Sequence, residues 1–582
     1  MQGLTHRWIE PARENGGTGG RDRLSDDPLI DRILRARGVA DAEAARRFCE
    51  PRLIHLHDPS GIPDLDRAAE RILKALRASE PVVIYGDYDV DGVTASAILL
   101  HMCAAIAPGA PVSIYIPHRL EEGYGLSSEA LEQLASQGAS VVVSVDCGVG
   151  AVEPARRARE LGLDLIITDH HTPPTSLDDL PDAHSVVHPR RPDSTYPFGE
   201  LCGAGVAFKL AWRLATLATG SERVSPEMRE LLLDLLALSA LGAVADVVPL
   251  VDENRVMTRF GLARLKSTRF IGLNALIEAA GLAGDDINAE HVGFVLAPRL
   301  NACGRMGHAR EAAELLTDVT PERADVIARQ LTVQNDKRRA VERTIFEQAC
   351  IMAEDAGMTM DDRRAIVLAH EEWHPGVVGI VCSRLVQRFG RPAILMQRAE
   401  GICQGSCRSV DGVSVCEGLG VCTDLLESHG GHDMAAGLRM RAERLDAFVE
   451  RFTTFVNERL LVADLKPSLR IDCDATLHEL TPETIRRIEG LGPYGRGNPT
   501  PRIRVRGLRV THPPEPLGAG GRHMSMHVAG GGRTVRVLGW SWGERRSAIP
   551  AGASVDVVVK PKLNSWRGRV SVEPELCDLS LV

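Results

Sequence analysis

The chain has 582 residues, 44% hydrophobic and 25% charged, with a formal net charge of −10; this is the composition of a globular protein with three or four domains. No apolar run is long enough to span a bilayer, and the opening MQGLTHRWIE lacks the apolar stretch of a signal peptide, so a cytoplasmic protein with no membrane attachment is expected. The thirteen cysteines are scattered without paired CxxC spacing, which excludes a zinc ribbon and points to buried thiols at Cys147, Cys202, Cys382 and Cys407. The acidic balance does not advertise a nucleic-acid binder, but RIRVRGLRV at 502–510 and KPKLNSWRGR at 560–569 are locally basic.

Residues 1–30 are rich in Gly, Arg and Asp and are expected to start loosely. A helical pattern follows at 41–49, then an amphipathic helix over 64–78. PVVIYGD predicts a buried strand and turn. After it come a helix at 93–106, a strand at 111–117, a helix at 127–137 and a strand at 139–148, then a further helix and strands at 163–171 and 185–190. Near-continuous apolar strands alternating with helices predict an α/β fold, a parallel sheet covered on both faces with its polar sites just past the strand ends.

Residues 201–245 are mostly helical, and 324–356 is nearly free of helix breakers, long enough to bridge two domains. A second α/β unit starts at RRAIVLAHE (363–371) and ends near 460. The remainder, from about 466, is strand-like and predicts a small barrel or sandwich; an oligonucleotide-binding barrel fits the pattern. Its Trp540, Trp542 and Trp566 suit either base stacking or core filling.

Four polar constellations stand at strand or helix ends. GDYDVDG places Asp87, Asp89 and Asp91 at alternate positions of one glycine-bounded turn. Any one of them could cap the following helix, but three repel one another and call for a hard divalent cation. An EF-hand is excluded, because its further ligand spacing does not follow. VSVDCG ends a strand in Asp146, as ligand or as turn cap. TDHH ends another in Asp169, His170 and His171, and LGAVADV carries Asp246. Four of these carboxylates and one imidazole are enough for two neighbouring ions that share a bridging carboxylate, the arrangement used for in-line attack on phosphorus.

In this order, GDYDVDG, SVDCG, TDHH and LGAVAD resemble the motifs of the DHH phosphoesterase superfamily. IPHRLEEGYGL (116–126), PRLNACGRMG (298–307), HEEWHPGVVGIVCSRL (370–385), GSCRS (405–409), SHGGHDMAAG (428–437) and GPYGRGNPTP (492–501) are similar, more narrowly, to the RecJ family. The resemblance implies a helical extension at 1–60, a DHH catalytic domain at 61–320 and a connecting helix at 321–356. It further implies a DHHA1-type substrate-binding domain at 357–462 and an OB-like nucleic-acid-binding barrel at 463–582.

By the same resemblance, Asp89, Asp91, Asp146, His170 and Asp246 would ligate two Mn²⁺ or Mg²⁺ ions, with Asp146 bridging and Asp87 in reserve. Tyr85 stands where some superfamily members carry a ligating histidine, which would leave the first ion one protein ligand short. Asp169 would orient the histidines, with His171 and His432 stabilising charge at the scissile phosphate. Arg119, Ser406 and Arg408 would hold a 5′-terminal phosphate, and Arg299, Asn301 and Arg305 the strand.

The implied activity is 5′-to-3′ exonuclease action on single-stranded DNA, releasing 5′-mononucleotides in recombination and repair. A monomer is expected, supplied by a single-strand-binding protein and a RecQ-type helicase. The alternatives are a phosphodiesterase for short oligonucleotides or cyclic dinucleotides, a pyrophosphatase, and a non-catalytic replication factor.

Overall fold

Five short β-branched runs build the first sheet. In the computed structural model, which describes residues 2–11, 23–118, 122–123, 125–221 and 223–582, these are β1 (Val82–Gly86), β2 (Val112–Tyr115), β3 (Val141–Val145), β4 (Asp164–Thr168) and β5 (Ser185–Val187). All pair in parallel, in the order β2-β1-β3-β4-β5. β1 and β3 are buried at every position, as strands covered on both faces must be. The register aligns the strand ends. Gly86 pairs Val145, Val145 pairs Thr168, and Thr168 pairs Val187. The next residues, Asp87, Asp146, Asp169 and His188, therefore line one edge of the sheet.

This sheet belongs to a unit made of residues 46–337 together with 491–499. Helix α1 (Val90–Ile106) is apolar on nearly every side and buried through most of its length; it packs against α2 (Gly203–Thr219) and α3 (Pro226–Ala245). Its Thr94 and Ser96 hydroxyls donate to Val90 O and Gly92 O at 2.8 Å, so no polar group is stranded there. A buried ion pair ties α2 to the chain beyond α3. Lys209 Nζ meets Glu253, which also accepts from Tyr196 Oη at 2.5 Å and His57 N at 2.8 Å.

Helix α4 (Pro321–Asp355) runs from the first unit into the second, whose residues are 1–45, 338–490 and 500–582. It begins at Pro321, three residues before the breaker-free stretch that starts at 324, because proline is well tolerated in a first helical turn. The second unit contains β6 (Ile366–His370), α5 (Pro375–Phe389), β7 (Ala393–Ala399), β8 (Ile402–Arg408), β9 (Leu426–His432), β10 (Ala435–Arg441) and α6 (Leu445–Arg459). The strand order is β9-β10-β8-β7-β6, with only β6 and β7 parallel.

The C-terminal strands settle the choice between barrel and sandwich. The strands that decide it are β11 (Cys473–Ala475), β12 (Ile503–Val510), β13 (His523–Gly530), β14 (Arg533–Gly539), β15 (Ser554–Lys560) and β16 (Glu575–Leu581). Pairing runs β12-β15-β16-β14-β13 and returns from β13 to β12 through Arg509↔Ala529 and Val510↔Val528, which closes a five-stranded barrel with β11 added beside β12.

Two expectations change here, and one open choice is narrowed. The start of the chain is not loose throughout, since Arg7–Ile9 pairs in parallel with Ser468–Arg470. The cause is the buried carboxylate of Asp578, which accepts from Thr5 N, His6 N and Trp8 Nε1 at 2.8–3.0 Å. The basic run at 502–510 is partly neutralised, because Arg504 is fully buried and pairs with Asp474 and Glu10, and Arg506 joins the same two carboxylates. Trp542 is buried and fills the core, whereas Trp540 is 47% and Trp566 68% exposed. The four cysteines singled out are buried, and all thirteen thiols are free.

The α1–α2–α3 packing allows a direct check. A Cβ on Gly242 of α3 would lie 2.3 Å from Asp91 Oδ1 and 2.7 Å from the Ala204 Cβ. Gly242→Ala should cost about 1–3 kcal/mol through overpacking and weaken divalent-cation binding at the same time; a denaturant titration and a Mn²⁺ titration of the same variant read the two effects.

Candidate active site

Asp89 is the N-cap of α1, its Oδ1 accepting from Asp91 N at 2.9 Å and Gly92 N at 3.1 Å. Asp91 sits one position into the helix and turns to α2, where Oδ2 accepts from Gly203 N at 2.6 Å and Oδ1 from Ala204 N at 2.9 Å. The capping roles considered from sequence are thus real, and each carboxylate retains acceptor capacity on its second lone pairs. Asp146 follows β3 with a left-handed φ of 63°, strained for a non-glycine residue. Its side chain lies so close to α2 that a Cβ on Gly203 would come within 2.5 Å of its Oδ1. Asp246 ends α3 as its C-cap.

Three groupings converge, each with its ligand atoms within 4.8 Å of one another: Asp87, Asp89 and Asp146; Asp91, His170 and Asp246; and Asp146, His170 and His171. Asp146 and His170 each belong to two of them, and Asp146 Oδ1 lies 3.0 Å from His170 Nε2, which links the first grouping to the second as a shared carboxylate would. Asp87, held in reserve at the sequence level, joins Asp89 and Asp146. Tyr85 is occupied elsewhere, donating to Gly125 O at 2.9 Å and stacking on Tyr115.

The electrostatics of the site call for cations. Burial, followed by the charge of Asp91, pushes Asp146 well above the usual carboxylate range. Burial and then Asp89 raise Asp91 to about 6; burial and then Asp91 raise Asp246 to about 8. His170 falls to about 3, through burial and then the neighbouring His171. Its Nε2 is buried, makes no hydrogen bond, and lies 3.0 Å from Asp146 Oδ1 and 3.7 Å from both Asp91 Oδ2 and Asp246 Oδ2. A neutral imidazole nitrogen among three carboxylate oxygens is a donor set suited to a divalent ion, so these residues fit two metals.

Beside them, Asp169 and His171 form a separate device. Asp169 Oδ1 accepts from His171 Nδ1 at 2.8 Å, from His170 N at 2.7 Å and from His171 N at 3.1 Å, and Oδ2 accepts from Val149 N at 2.9 Å. Burial opposes the charged forms of both residues and is the largest single influence on each, but it is outweighed by their mutual hydrogen bond and charge attraction acting together with Val149 N–H on Asp169 and the charges of Asp246 and Asp87 on His171. Asp169 is held well below the usual range and His171 is raised to about 9.

The sequence reading missed the next layer. His188 Nε2 donates to His171 O at 2.7 Å, a role fixed by its Nδ1, which accepts from Arg190 N at 2.9 Å, and Arg190 Nη2 donates to His170 O at 2.7 Å. The dipeptide His188-Pro189 directly after an apolar strand was the available signal. Asn301 Oδ1 accepts from Val90 N at 3.2 Å, which places it against the start of α1. Arg299, on the same helix (Ala297–Met306), donates to Val295 O and Thr332 Oγ1. Arg305 lies on its last turn. Arg119 lies outside the described residues.

In the second unit, Ser406 and Arg408 are two apart on β8 and share a face. Arg408 and His432 are both in register with Ala435 of β10, from opposite sides, about 10 Å apart across the two strand spacings. Gly379 of α5 faces this spot, where a Cβ would stand 3.2 Å from Ser406 Oγ and 3.4 Å from Arg408 Nη2. Glycine there leaves room around the guanidinium.

Residues 81–240 match the model of the DHH family N-terminal domain, 362–458 that of the DHHA1 domain and 471–578 that of the RecJ OB domain. The chain is 38% identical over 550 residues to the single-stranded-DNA-specific exonuclease RecJ of Bacillus subtilis, covering 94% of this chain and 67% of that one. It is 32% identical over 570 residues to its counterpart in Salmonella typhimurium, covering 95% and 96%. The crystal structure of RecJ in complex with Mn²⁺ from Thermus thermophilus superposes with a TM-score of 0.80 at 31% identity, over 96% of this chain and 76% of that one.

Raised carboxyl pKa values make a stability statement. The folded, metal-free site holds protons that the unfolded chain has released, so stability falls as pH rises from the ordinary carboxylate range through the 6 and 8 of Asp91 and Asp246. In EDTA the melting temperature should drop between pH 5 and 8. Mn²⁺ should flatten that drop. Asp146→Asn should melt higher than wild type in EDTA and gain less from Mn²⁺; differential scanning calorimetry checks all three.

Proposed function

The chain belongs to the RecJ family of single-stranded-DNA-specific exonucleases, and on that premise we propose that it removes 5′-mononucleotides stepwise from the 5′ end of single-stranded DNA. The observation that carries this reading is the register that brings Asp87, Asp146 and Asp169 to one sheet edge, with Asp146 common to two ligand groups.

Asp87 and Asp89 would hold one Mn²⁺ or Mg²⁺ ion, and Asp91, His170 and Asp246 the other, with Asp146 between them. When bound, the ions supply electrophilic activation of the phosphodiester and of the attacking water. Asp169 keeps His171 protonated at neutral pH with Nδ1–H directed to its own Oδ1. The other ring donor, Nε2–H, is then the group that meets a phosphoryl oxygen as charge develops. His188 and Arg190 hold the two histidine carbonyls, so that neither ring drifts from the edge. Hydrolysis breaks the bond from phosphorus to the departing O3′, which takes up a proton. The remaining strand carries a new 5′-phosphate, so each cut restores the end that the next one requires.

Direction is assigned to Ser406, Arg408 and Arg119, whose fork and hydroxyl chemistry suits a terminal phosphate monoester over an internal diester. His432 is placed with them, and Arg299, Asn301 and Arg305 along the strand. The domain division expected from sequence is part of the same reading, as are a monomeric state, a cytoplasmic setting and delivery of substrate by a single-strand-binding protein and a helicase. No helix among the described residues is long and apolar enough to cross a membrane. Coverage of nearly the whole length of a relative favours this reading over the shorter phosphodiesterases and pyrophosphatases. The complete acidic set argues against a non-catalytic replication factor.

Asp146→Ala should remove activity on a labelled single strand by well over the about 100-fold typical of losing an outer-sphere partner, with the fold intact by circular dichroism; near-wild-type turnover in saturating Mn²⁺ would contradict its shared role. Arg408→Ala should lower kcat/KM about tenfold or more on a 5′-phosphorylated strand, the scale of one lost charge-assisted contact, and far less on a 5′-hydroxyl strand. An unchanged ratio between the two substrates removes Arg408 from the terminal pocket, and degradation from the 3′ end overturns the polarity.

A further inference from the structure

The motif GPYGRGNPTP supplies none of the metal ligands or terminal-phosphate groups, yet the structure places it pointedly. Residues 491–499 pack with the first unit although the chain on both sides of them belongs to the second. The loop is tightly built. Leu250 N donates to Arg496 O at 2.7 Å, and Arg259 Nη1 donates to Gly492 O at 3.1 Å. Asn498 is fully buried and donates from Nδ2 to Leu491 O at 3.0 Å and Pro493 O at 2.8 Å. The glycines on either side of Arg496 let the loop lie flat on the chain that follows Asp246. A Cβ on Gly495 would come within 2.8 Å of Leu250 Cδ1, and one on Gly497 within 3.1 Å of Pro249 and Val251. Gly497 also needs its φ of 75°.

This scaffold holds one long cationic side chain. Arg496 is exposed, and its guanidinium makes no hydrogen bond or ion pair among the described residues. The Arg496 backbone carbonyl, bound by Leu250 N, fixes the residue against the segment that leaves Asp246 only a few residues earlier. A solvated surface arginine needs no such platform. A polyanionic strand approaching a cluster of carboxylates does need a positive group at its margin, and a planar guanidinium fork matches two oxygens of one phosphate.

We propose that Arg496 is a substrate-binding residue of the first unit, gripping an internal phosphodiester of the single strand beside Asp246. It is distinct from the residues assigned to the terminal phosphate, and the assignment rests on the exonuclease activity proposed for the chain. Because the contact is to an internal linkage, it is blind to the chemistry of the 5′ end.

The test uses the full-length protein with saturating Mn²⁺, comparing wild type, Arg496→Ala and Arg496→Lys on 5′-phosphorylated and 5′-hydroxyl strands. Arg496→Ala should raise KM by about tenfold on both strands alike, leave kcat within about twofold, and flatten the salt dependence of kcat/KM by about one phosphate's worth. Arg496→Lys should recover part of the loss. In strands carrying a single neutral methylphosphonate at successive internal linkages, one position should penalise wild type and cost Arg496→Ala nothing further. An unchanged KM and salt slope would overturn the proposal. So would a fall in kcat that tracks weakened Mn²⁺ binding, which would make the loop a prop for Asp246. A wild type that leaves the strand intact contradicts the exonuclease activity itself, whereas an active wild type matched by Arg496→Ala contradicts only the arginine's role.

Discussion

Mutual repulsion of carboxylates at one sheet edge is the constraint around which this protein is organised. Two unit charges 4 Å apart cost about 4 kcal/mol at an effective dielectric of 20, and here Asp87, Asp89, Asp91, Asp146 and Asp246 converge with one neutral imidazole. Such a set stays ionised only when divalent cations join it and otherwise takes up protons, so the folded chain carries an electrostatic demand that bound cations meet at neutral pH.

The surrounding structure is arranged to hold that set in place. The N-terminus of α2 points two backbone N–H groups at Asp91, which partly offsets the charge it helps concentrate. Glycines at 203 and 242 remove the methyl groups that would push Asp146 and Asp91 aside. Strain falls next to the ligands, with a left-handed φ of 63° at Asp146 and of 59° at Val247, a β-branched residue directly after Asp246. In the proposed reaction the Asp169–His171 pair stands apart, because a carboxylate that keeps a histidine charged leaves that imidazole for the reacting phosphate.

Much of this was legible in the chain. Continuous apolar strands alternating with helices specify a parallel sheet, and motif order marks Asp89, Asp91, Asp146, His170 and Asp246 as one constellation. What stayed hidden depends on pairing between distant segments. Asp87 gains its place only once β1 and β3 are in register, since its own sequence offers three equivalent aspartates. His188 and Arg190 act through backbone carbonyls of other residues, which leaves no charge pattern to read. The strand at Arg7–Ile9 is three residues long and is held by Asp578 from the far end of the chain. Arg504 looks like nucleic-acid-binding charge until Asp474 and Glu10 are seen to bury it. Trp542 and Trp540 are two residues apart with the same composition around them, and only the closed barrel separates core from surface.

Whether two cations share Asp146 is the claim on which the account turns. Anomalous diffraction from crystals grown with Mn²⁺ answers it directly. Two peaks about 3.5–4 Å apart, both within bonding distance of the Asp146 carboxylate, are predicted, with Asp87 and Asp89 on one ion and Asp91, His170 and Asp246 on the other. A single peak, or two peaks with Asp146 bound to neither or only one, would contradict it.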